Sequence, residues 1–355
     1  MSENAQPHVH LLIGCYTDES GTDGILPTHL TPSGPTVSGP GVELPNASWL
    51  VHHDGLVLAV SEWVPGRLAV LRHDGEQWRV ASSAPTQGAD PCHLAVSPDG
   101  AWIAVANYGS GSVSLFVTPG SASLDEPLAV LAFEGNGPVA GRQDSSHAHQ
   151  VTWLDDDHLL VCDLGADQLR VVRVRATGGG AELEELTAVN LPPGTGPRHL
   201  VLRQTAPSEQ QVAVAGELNG QVIGLRHEGT DWANGWWVGH NVLATHTPGA
   251  SQPSGLRWFG HDLVLANRGT DTIALVRWGD DGTLALVSES PCGGRSPRDL
   301  AEHGGLLFVA NQESDEVSML AHRGDGFEQV GQLQVRRPAS LLFGSVDDGQ
   351  TGATR

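Results

Sequence analysis

Histidine, arginine and glutamate recur at two places in a repeated sequence pattern, and these residue types can bind an anion and move a proton. The start of each repeat's first strand holds His93, His147, His149, Arg198, His199, Ser254, Arg298 and Asp299. The end of each second strand holds Glu62, Asn107, Asp163, Glu217, Asn267, Arg268, Asn311 and Gln312. Turn formation alone explains asparagine and aspartate at such ends. It does not explain the histidines, arginines and glutamate, which together predict a functional site.

The residue types favour attack by water or proton transfer as the chemistry of this site. The sequence contains no GxSxG, no HExxH and no GxGxxG followed by a helical pattern, so the mechanisms that those motifs serve are not indicated. Arginine would hold an anionic substrate or a developing oxyanion, and His149 or Glu217 would transfer the proton. Arg198 and Arg268 are expected in repeats two apart, where they reach one ligand from different sides. Arg142 or Arg298 would then bind a distal phosphate.

The elements that position these residues are short β-strands, seen most plainly between Asp90 and Val117. Turn signals, Pro98-Asp99-Gly100 and Gly109-Ser110-Gly111, divide this stretch into three predicted strands over 93–97, 102–107 and 112–117. Apolar residues alternate within each, which is the period of a pleated strand.

Copies of this unit follow one another along the whole chain. Their first strands begin their apolar pattern at Leu50, Leu94, Val151, Leu200, Leu256, Leu300 and Leu341, about 41 to 57 residues apart. The last copy, from Arg337, stops after one strand, and Val9–Tyr16 with 24–30 supplies the missing strands. The sequence therefore predicts an all-β fold, a seven-bladed β-propeller with one blade closed by both chain termini. It forms a single domain over 8–345, with flexible tails at 1–7 and 346–355.

This architecture brings the polar positions together. The first two strands of each copy form a hairpin, so the start of one lies beside the end of the other, at one mouth of the central channel. The polar loop 134–147 precedes the third copy, and it is either a surface excursion or a cover over that mouth.

Composition limits the partners. The chain of 355 residues carries a net charge of −22 and contains no lysine, which argues against nucleic acid or an anionic membrane as a partner. The four cysteines show no CxxC spacing, and we expect reduced, small apolar residues. No secretory signal or apolar run of about 18 residues is apparent, so a cytoplasmic protein is expected. The residues suggest no cofactor and no metal, and they leave the oligomeric state open.

Eight motifs follow one another along the chain: DPCHLAVSPDG at 90–100, VANYGSGSV at 105–113, GRQDSSHAHQV at 141–151, GPRHL at 196–200, GEL at 216–218, ANRG at 266–269, SPRD at 296–299 and VANQESDEV at 309–317. Together and in this order they resemble one known family, the seven-bladed β-propeller lactonases, which include propeller-type 6-phosphogluconolactonases and 3-carboxy-cis,cis-muconate lactonising enzymes. The resemblance implies a channel-mouth site in which His149, Arg198, Glu217 and Arg268 are the functional positions. The chain departs from the family pattern at Ser61-Glu62-Trp63, so Glu62 is not carried over.

The leading hypothesis is hydrolysis of an anionic sugar-acid lactone, 6-phosphogluconolactone of the pentose phosphate pathway. The residues expected to bind the substrate beside the four functional positions are His93, Arg142, His147, His199 and Arg298. A muconate-type cycloisomerase using the same site is one alternative, and a non-catalytic interaction platform is another. A third is a metal-dependent lactonase that holds a divalent cation with Glu217, Asn107, Asn267 and Asn311.

Overall fold

The computed structural model describes residues 9–17, 23–31, 34–120 and 123–345. The predicted tails, 1–7 and 346–355, lie outside the described residues. Within the described residues, seven four-stranded antiparallel sheets follow one another around a ring. The prediction of a seven-bladed β-propeller is therefore confirmed.

The blades are numbered in chain order, and blade 7 is the one closed by both termini. Blade 1 comprises β4 (Ala47–His53), β5 (Leu56–Ser61), β6 (Arg67–His73) and β7 (Trp78–Pro85). Blade 2 comprises β8 (Pro91–Val96), β9 (Trp102–Asn107), β10 (Ser112–Val117) and β11 (Ala129–Ala132). Blade 3 comprises β12 (Ala148–Trp153), β13 (His158–Asp163), β14 (Gln168–Thr177) and β15 (Gly180–Asn190). Blade 4 comprises β16 (Pro197–Ala206), β17 (Glu209–Gly216), β18 (Gln221–Glu228) and β19 (Trp236–Leu243). Blade 5 comprises β20 (Gln252–Phe259), β21 (Asp262–Arg268), β22 (Thr272–Trp278) and β23 (Leu284–Pro291). Blade 6 comprises β24 (Pro297–His303), β25 (Leu306–Asn311), β26 (Glu316–Arg323) and β27 (Gly326–Gln334). Blade 7 comprises β28 (Pro338–Ser345), β1 (Val9–Cys15), β2 (Ile25–Thr31) and β3 (Gly34–Val37).

Blade 7 closes the ring. Its inner strand β28 comes from the C-terminal part of the chain and pairs antiparallel with β1, from Val9 opposite Ser345 to Cys15 opposite Pro338. The other edge of β1 pairs with β2. The predicted pairing of the two termini is therefore observed, and it places β1 inside the sheet between β28 and β2.

The core lies between the blades. Alternate apolar residues of neighbouring sheets pack against each other, as Leu115 and Val113 of blade 2 do with Val151 and Val161 of blade 3. Each core residue removes apolar surface from water at about 25 cal/mol per Å². The described residues contain no helix that is long and apolar enough to cross a membrane.

Aspartates at the turns between second and third strands fix the loops that form the mouth. Asp167, Asp271 and Asp315 all have positive φ, a conformation that aspartate tolerates better than most residues. Asp271 accepts a hydrogen bond from the backbone N–H of Ser296 at 2.8 Å, and Asp315 accepts one from Arg337 at 2.9 Å. In each case the donor is the residue that leads into the next blade.

Candidate active site

A β-bulge interrupts the pairing of the inner strand with its neighbour at the same point in all seven blades. In blade 4, Pro197 pairs with Gly216 and His199 with Ala215, so Arg198 is the extra residue between them. A bulge of this kind re-aims the side chain of its extra residue. The bulge residues form what we call the bulge ring: Ser48, Cys92, His149, Arg198, Arg298, Ala339 and, in blade 5, the pair Ser254 and Gly255.

A second ring of residues lies at the channel mouth. In most blades its member directly follows the last residue of the second strand that pairs with the inner strand. We call it the rim ring, and it consists of Tyr16, Glu62, Tyr108, Leu164, Glu217, Arg268 and Gln312. The preceding residues Asn107, Asn267 and Asn311 are fully buried instead. Their side-chain amides donate to neighbouring strands and loops, for example from Asn107 Nδ2 to Ser114 Oγ at 2.9 Å.

A cluster of one carboxylate and three guanidinium groups lies on one side of the mouth. Arg268 Nη2 is 2.6 Å from Glu217 Oε2, and Arg198 Nε is 3.1 Å from the same oxygen. Arg142 donates to Glu217 Oε1. Glu217 and Arg198 are each only 4% exposed, so little water screens the cluster. Three cations on one anion leave two positive charges in excess.

The electrostatics keep Glu217 ionised. Burial alone would raise its pKa, but Arg268 and Arg198 outweigh burial and hold the pKa of the carboxyl well below its usual range. Burial, with Arg268 and Arg298 nearby, lowers the pKa of Arg198 to about 9, so this guanidinium still carries its charge at neutral pH. Glu217 therefore acts as a counter-ion that holds the arginines in place.

His149 and Arg198 line the same cavity, and the imidazole of His149 is neutral. It is 7% exposed, and burial together with the charge of Arg198 lowers its pKa well below 6.5. Its buried Nδ1 atom has no hydrogen-bond partner among the described residues. A neutral ring nitrogen without a hydrogen-bond partner can accept a proton from a bound water.

Aromatic and histidine rings fill the channel one residue further along the inner strands. Trp49 lies 4.3 Å from His93 and 5.4 Å from His199, between ring centroids. Arg257 lies over the Trp49 ring at 5.6 Å. Burial, and then Arg257 for His93 and Arg198 for His199, lowers the pKa of both histidines well below 6.5. These neutral residues form the floor of the site.

The loop 134–147, expected either as a surface excursion or as a cover over the mouth, brings Arg142 into contact with Glu217. Gln143 anchors it, because its side-chain amide donates to Asp167 Oδ1 at 2.7 Å. This anchor positions Arg142 against Glu217. At the end of the loop, the ring of His147 stacks on Tyr108 with centroids 4.4 Å apart, and its Nδ1 lies 2.9 Å from the backbone oxygen of Tyr108.

The structure connects six of the nine predicted site residues. Arg142, Arg198 and Arg268 contact Glu217, and Arg198 lines one cavity with His149 and Arg298. His199 adds part of the cavity wall, His93 lies in the floor behind Trp49, and His147 lies at the rim behind Tyr108.

One expectation was wrong. Arg198 and Arg268 belong to blades 4 and 5, which are adjacent, and both contact Glu217. They therefore approach a ligand from the same side of the channel. The asparagines of the metal alternative are fully buried, and Asn267 Nδ2 and Asn311 Nδ2 donate to Ala244 O at 2.8 Å and to Ser318 Oγ at 2.9 Å. Among the described residues, no group of three histidine, cysteine, aspartate or glutamate side chains could hold a metal ion.

The sequence did not predict the contact between two residues of the rim ring, Tyr16 and Glu62. Tyr16 Oη donates to Glu62 Oε2 at 2.8 Å, and both line one cavity together with His149, Arg198 and Arg298. A signal was present in the sequence, because Tyr16 follows β1 as Tyr108 follows β9. The contact of Tyr16 with blade 1 depends on ring closure and could not be predicted from the sequence.

Comparison with known proteins agrees with this geometry. Residues 10–337 match the family model described as "Lactonase, 7-bladed beta-propeller". The chain is 27% identical over 318 residues to the 6-phosphogluconolactonase of Bacillus subtilis, covering 86% of this chain and 88% of that protein. It is 26% identical over 268 residues to the 6-phosphogluconolactonase of Formosa agariphila, covering 71% of this chain and 73% of that protein.

A solved structure of similar fold is the periplasmic gluconolactonase of Pseudomonas aeruginosa. It superimposes with a TM-score of 0.83 at 27% identity, covering 96% of this chain and 99% of that chain.

Proposed function

The chain belongs to the lactonase family of seven-bladed β-propellers, and on this premise we propose that it opens a sugar-acid lactone by attack of water at the channel mouth. The observation that carries the proposal is the cluster of Arg142, Arg198 and Arg268 on Glu217, with its two excess positive charges. Lactone opening places negative charge on the carbonyl oxygen, and preorganised cations in a site shielded from water stabilise such charge strongly.

His149 is the proton carrier in this mechanism. As the water oxygen bonds to the carbonyl carbon, the imidazole takes one of the water protons, and the carbonyl electrons move onto the oxygen that faces the arginines. When the tetrahedral intermediate collapses, the bond from carbon to the ring oxygen breaks, and the imidazolium returns the proton to that oxygen. The product is an open-chain hydroxy acid.

Glu217 is a poor candidate for the same role. Its pKa is held well below the usual range by Arg268 and Arg198, although burial opposes this. A carboxylate held by three guanidinium groups accepts a proton from water only at a large cost. We therefore assign it to holding the arginines.

The finer proposal is that the substrate is phosphorylated, 6-phosphogluconolactone. Arg298 supports it, because this guanidinium lines the cavity and no described carboxylate oxygen lies within ion-pair distance of it. The names of the Bacillus subtilis and Formosa agariphila relatives agree with a phosphorylated substrate, whereas the Pseudomonas aeruginosa neighbour is named a gluconolactonase.

We propose the cytoplasm as the location of the protein. The four cysteines of this chain are buried free thiols, and free thiols suit a reducing compartment.

The decisive experiment measures hydrolysis of gluconolactone and 6-phosphogluconolactone at pH 6.5, where acid release is followed above the spontaneous rate. Wild-type protein should hydrolyse the phosphorylated lactone faster. His149→Ala should lose activity, whereas His240→Ala, at an exposed position on β19, should keep it. An inactive wild type, or a wild type that only isomerises a muconolactone, would contradict the proposal.

A further inference from the structure

Tyr16 lies at the seam where the chain closes on itself. It directly follows β1 in blade 7, and its hydroxyl contacts a neighbouring blade on each side. Arg298 Nη2 of blade 6 donates to Tyr16 Oη at 2.8 Å, and Tyr16 Oη lies 2.8 Å from Glu62 Oε2 of blade 1. One oxygen atom therefore separates a guanidinium from a carboxylate.

The donor and acceptor roles at this hydroxyl are fixed by chemistry. A guanidinium can only donate hydrogen bonds and an ionised carboxylate can only accept them. Burial raises the pKa of Tyr16 further above its already high value, so the phenol keeps its proton. The hydroxyl therefore donates to Glu62 and accepts from Arg298.

Arg298 is held without a direct ionic partner. Its Nη1 donates to Gln312 Oε1 at 3.0 Å, its Nη2 donates to Tyr16, and its Cζ atom lies 4.8 Å from the centre of the Tyr16 ring. These partners are neutral, and three of its five N–H groups have no hydrogen bond to a described residue. This differs from Arg142, Arg198 and Arg268, which all contact Glu217.

We propose that Tyr16 is a positioning residue that keeps Arg298 apart from Glu62, so that the guanidinium remains available to an anionic group of the substrate. The proposal rests on the lactonase function proposed above. Without the phenol oxygen, Arg298 and Glu62 would move together into a direct ion pair, because a bidentate contact between arginine and a carboxylate is a strong one. The cation would then be withdrawn from the substrate.

The first test is Tyr16→Phe, which keeps the ring but removes the hydroxyl. We expect KM for 6-phosphogluconolactone to rise roughly 10- to 100-fold, as for the loss of one charge-assisted contact, with kcat changed less than about threefold. The matched control is Thr28→Val, which removes a fully buried hydroxyl bonded to Leu11 O at 2.8 Å in the same blade. It should leave KM unchanged.

The second test is rescue. In the double variant Tyr16→Phe with Glu62→Gln, no carboxylate remains to capture Arg298, so KM should return to within about threefold of wild type. A purely structural role of Tyr16 would give no such rescue. An unchanged KM in Tyr16→Phe, or a double variant no better than the single one, would overturn the proposal.

Binding gives a readout that does not depend on turnover. Titration calorimetry with 6-phosphogluconate should show affinity lost in Tyr16→Phe and regained in the double variant. If wild-type protein hydrolyses neither lactone but shows this pattern, the proposed function fails and the role of Tyr16 stands. If wild type binds no 6-phosphogluconate, the anchor role of Arg298 is wrong. Should Tyr16→Phe not fold, Glu62→Gln alone must bind the anion at least as tightly as wild type, and weaker binding would refute the proposal.

Discussion

Replacing Glu217 by glutamine separates the two roles that a buried carboxylate at the mouth can have. The substitution keeps the shape of the side chain and removes its charge. If Glu217 is the counter-ion of the arginines, the protein loses stability and its site becomes more positive. If Glu217 carries the proton of the reaction, turnover is lost while stability and anion affinity remain.

The size of the stability effect follows from the contacts. A pair of unit charges about 4 Å apart interacts by about 4 kcal/mol at an effective dielectric constant of 20. Arg268 and Arg198 lie 2.6 and 3.1 Å from the carboxylate and are 12% and 4% exposed in their side chains. The contribution of Arg142 is discounted because 36% of its side chain is exposed. Since buried charges are also left uncompensated, we expect the free energy of unfolding to fall by about 3–5 kcal/mol.

The assay is urea unfolding followed by tryptophan fluorescence, with calorimetric titration of gluconate. Glu217→Gln should unfold at lower urea with an unchanged m-value, bind gluconate roughly tenfold more tightly, and lose less than about tenfold in kcat. Glu184→Gln, at an exposed pair with Arg173 and Arg175, is the control and should match wild type. Unchanged stability and gluconate affinity with kcat lowered about 10²–10⁴-fold would refute the counter-ion role.

Five further outcomes are expected. His149→Ala should lower kcat by about 10²–10⁴-fold with the fold intact. Because the pKa of His149 lies well below 6.5, wild-type kcat/KM should show no inflection near pH 6.5 and should fall only as pH drops through that lowered pKa. Arg298→Ala should narrow the preference for the phosphorylated lactone, and equal wild-type rates on both lactones would remove the phosphate argument. Activity should survive EDTA, since arginines supply the positive charge, and a loss restored by one divalent ion would contradict this. Deleting residues 1–16 should expose the edge of β28 and cause aggregation on gel filtration, so a stable monomer would argue against closure by β1.

The fold was predictable because each repeat carries its own turn signals and period-2 pattern, as in the stretch from Asp90 to Val117. Ring closure was predictable for the same reason, since the last copy lacks strands that the N-terminal segment can supply. Strand bounds in blade 2 agree closely, with β9 and β10 as expected and β8 beginning at Pro91 in place of His93. Because the unit is repeated along the chain, each copy supports the same strand and turn prediction independently.

The facing of individual side chains was harder to predict because a bulge shifts the alternation by one residue. The asparagines at second-strand ends were expected at the mouth, whereas the next residue in each blade, such as Arg268 after Asn267, faces it. A signal for the bulge exists in the sequence. Proline stands directly before Cys92, Arg198 and Arg298, and proline in an inner strand is tolerated at a bulge, where its missing N–H is not needed for the ladder.

The two rings also explain how one scaffold produces a one-sided site. Every blade has at least one bulge residue, yet arginine occupies this position only in blades 4 and 6, while Ser48, Cys92 and Ala339 occupy it in blades 1, 2 and 7. With Arg268 of blade 5, the cations span three consecutive blades, and His149 flanks them from blade 3. In the proposed mechanism, the carbonyl oxygen of the lactone would point to blades 4 and 5, and the attacking water would lie towards blade 3. Since these side chains point into the channel and not into the packing between blades, their chemistry can change without changing the fold.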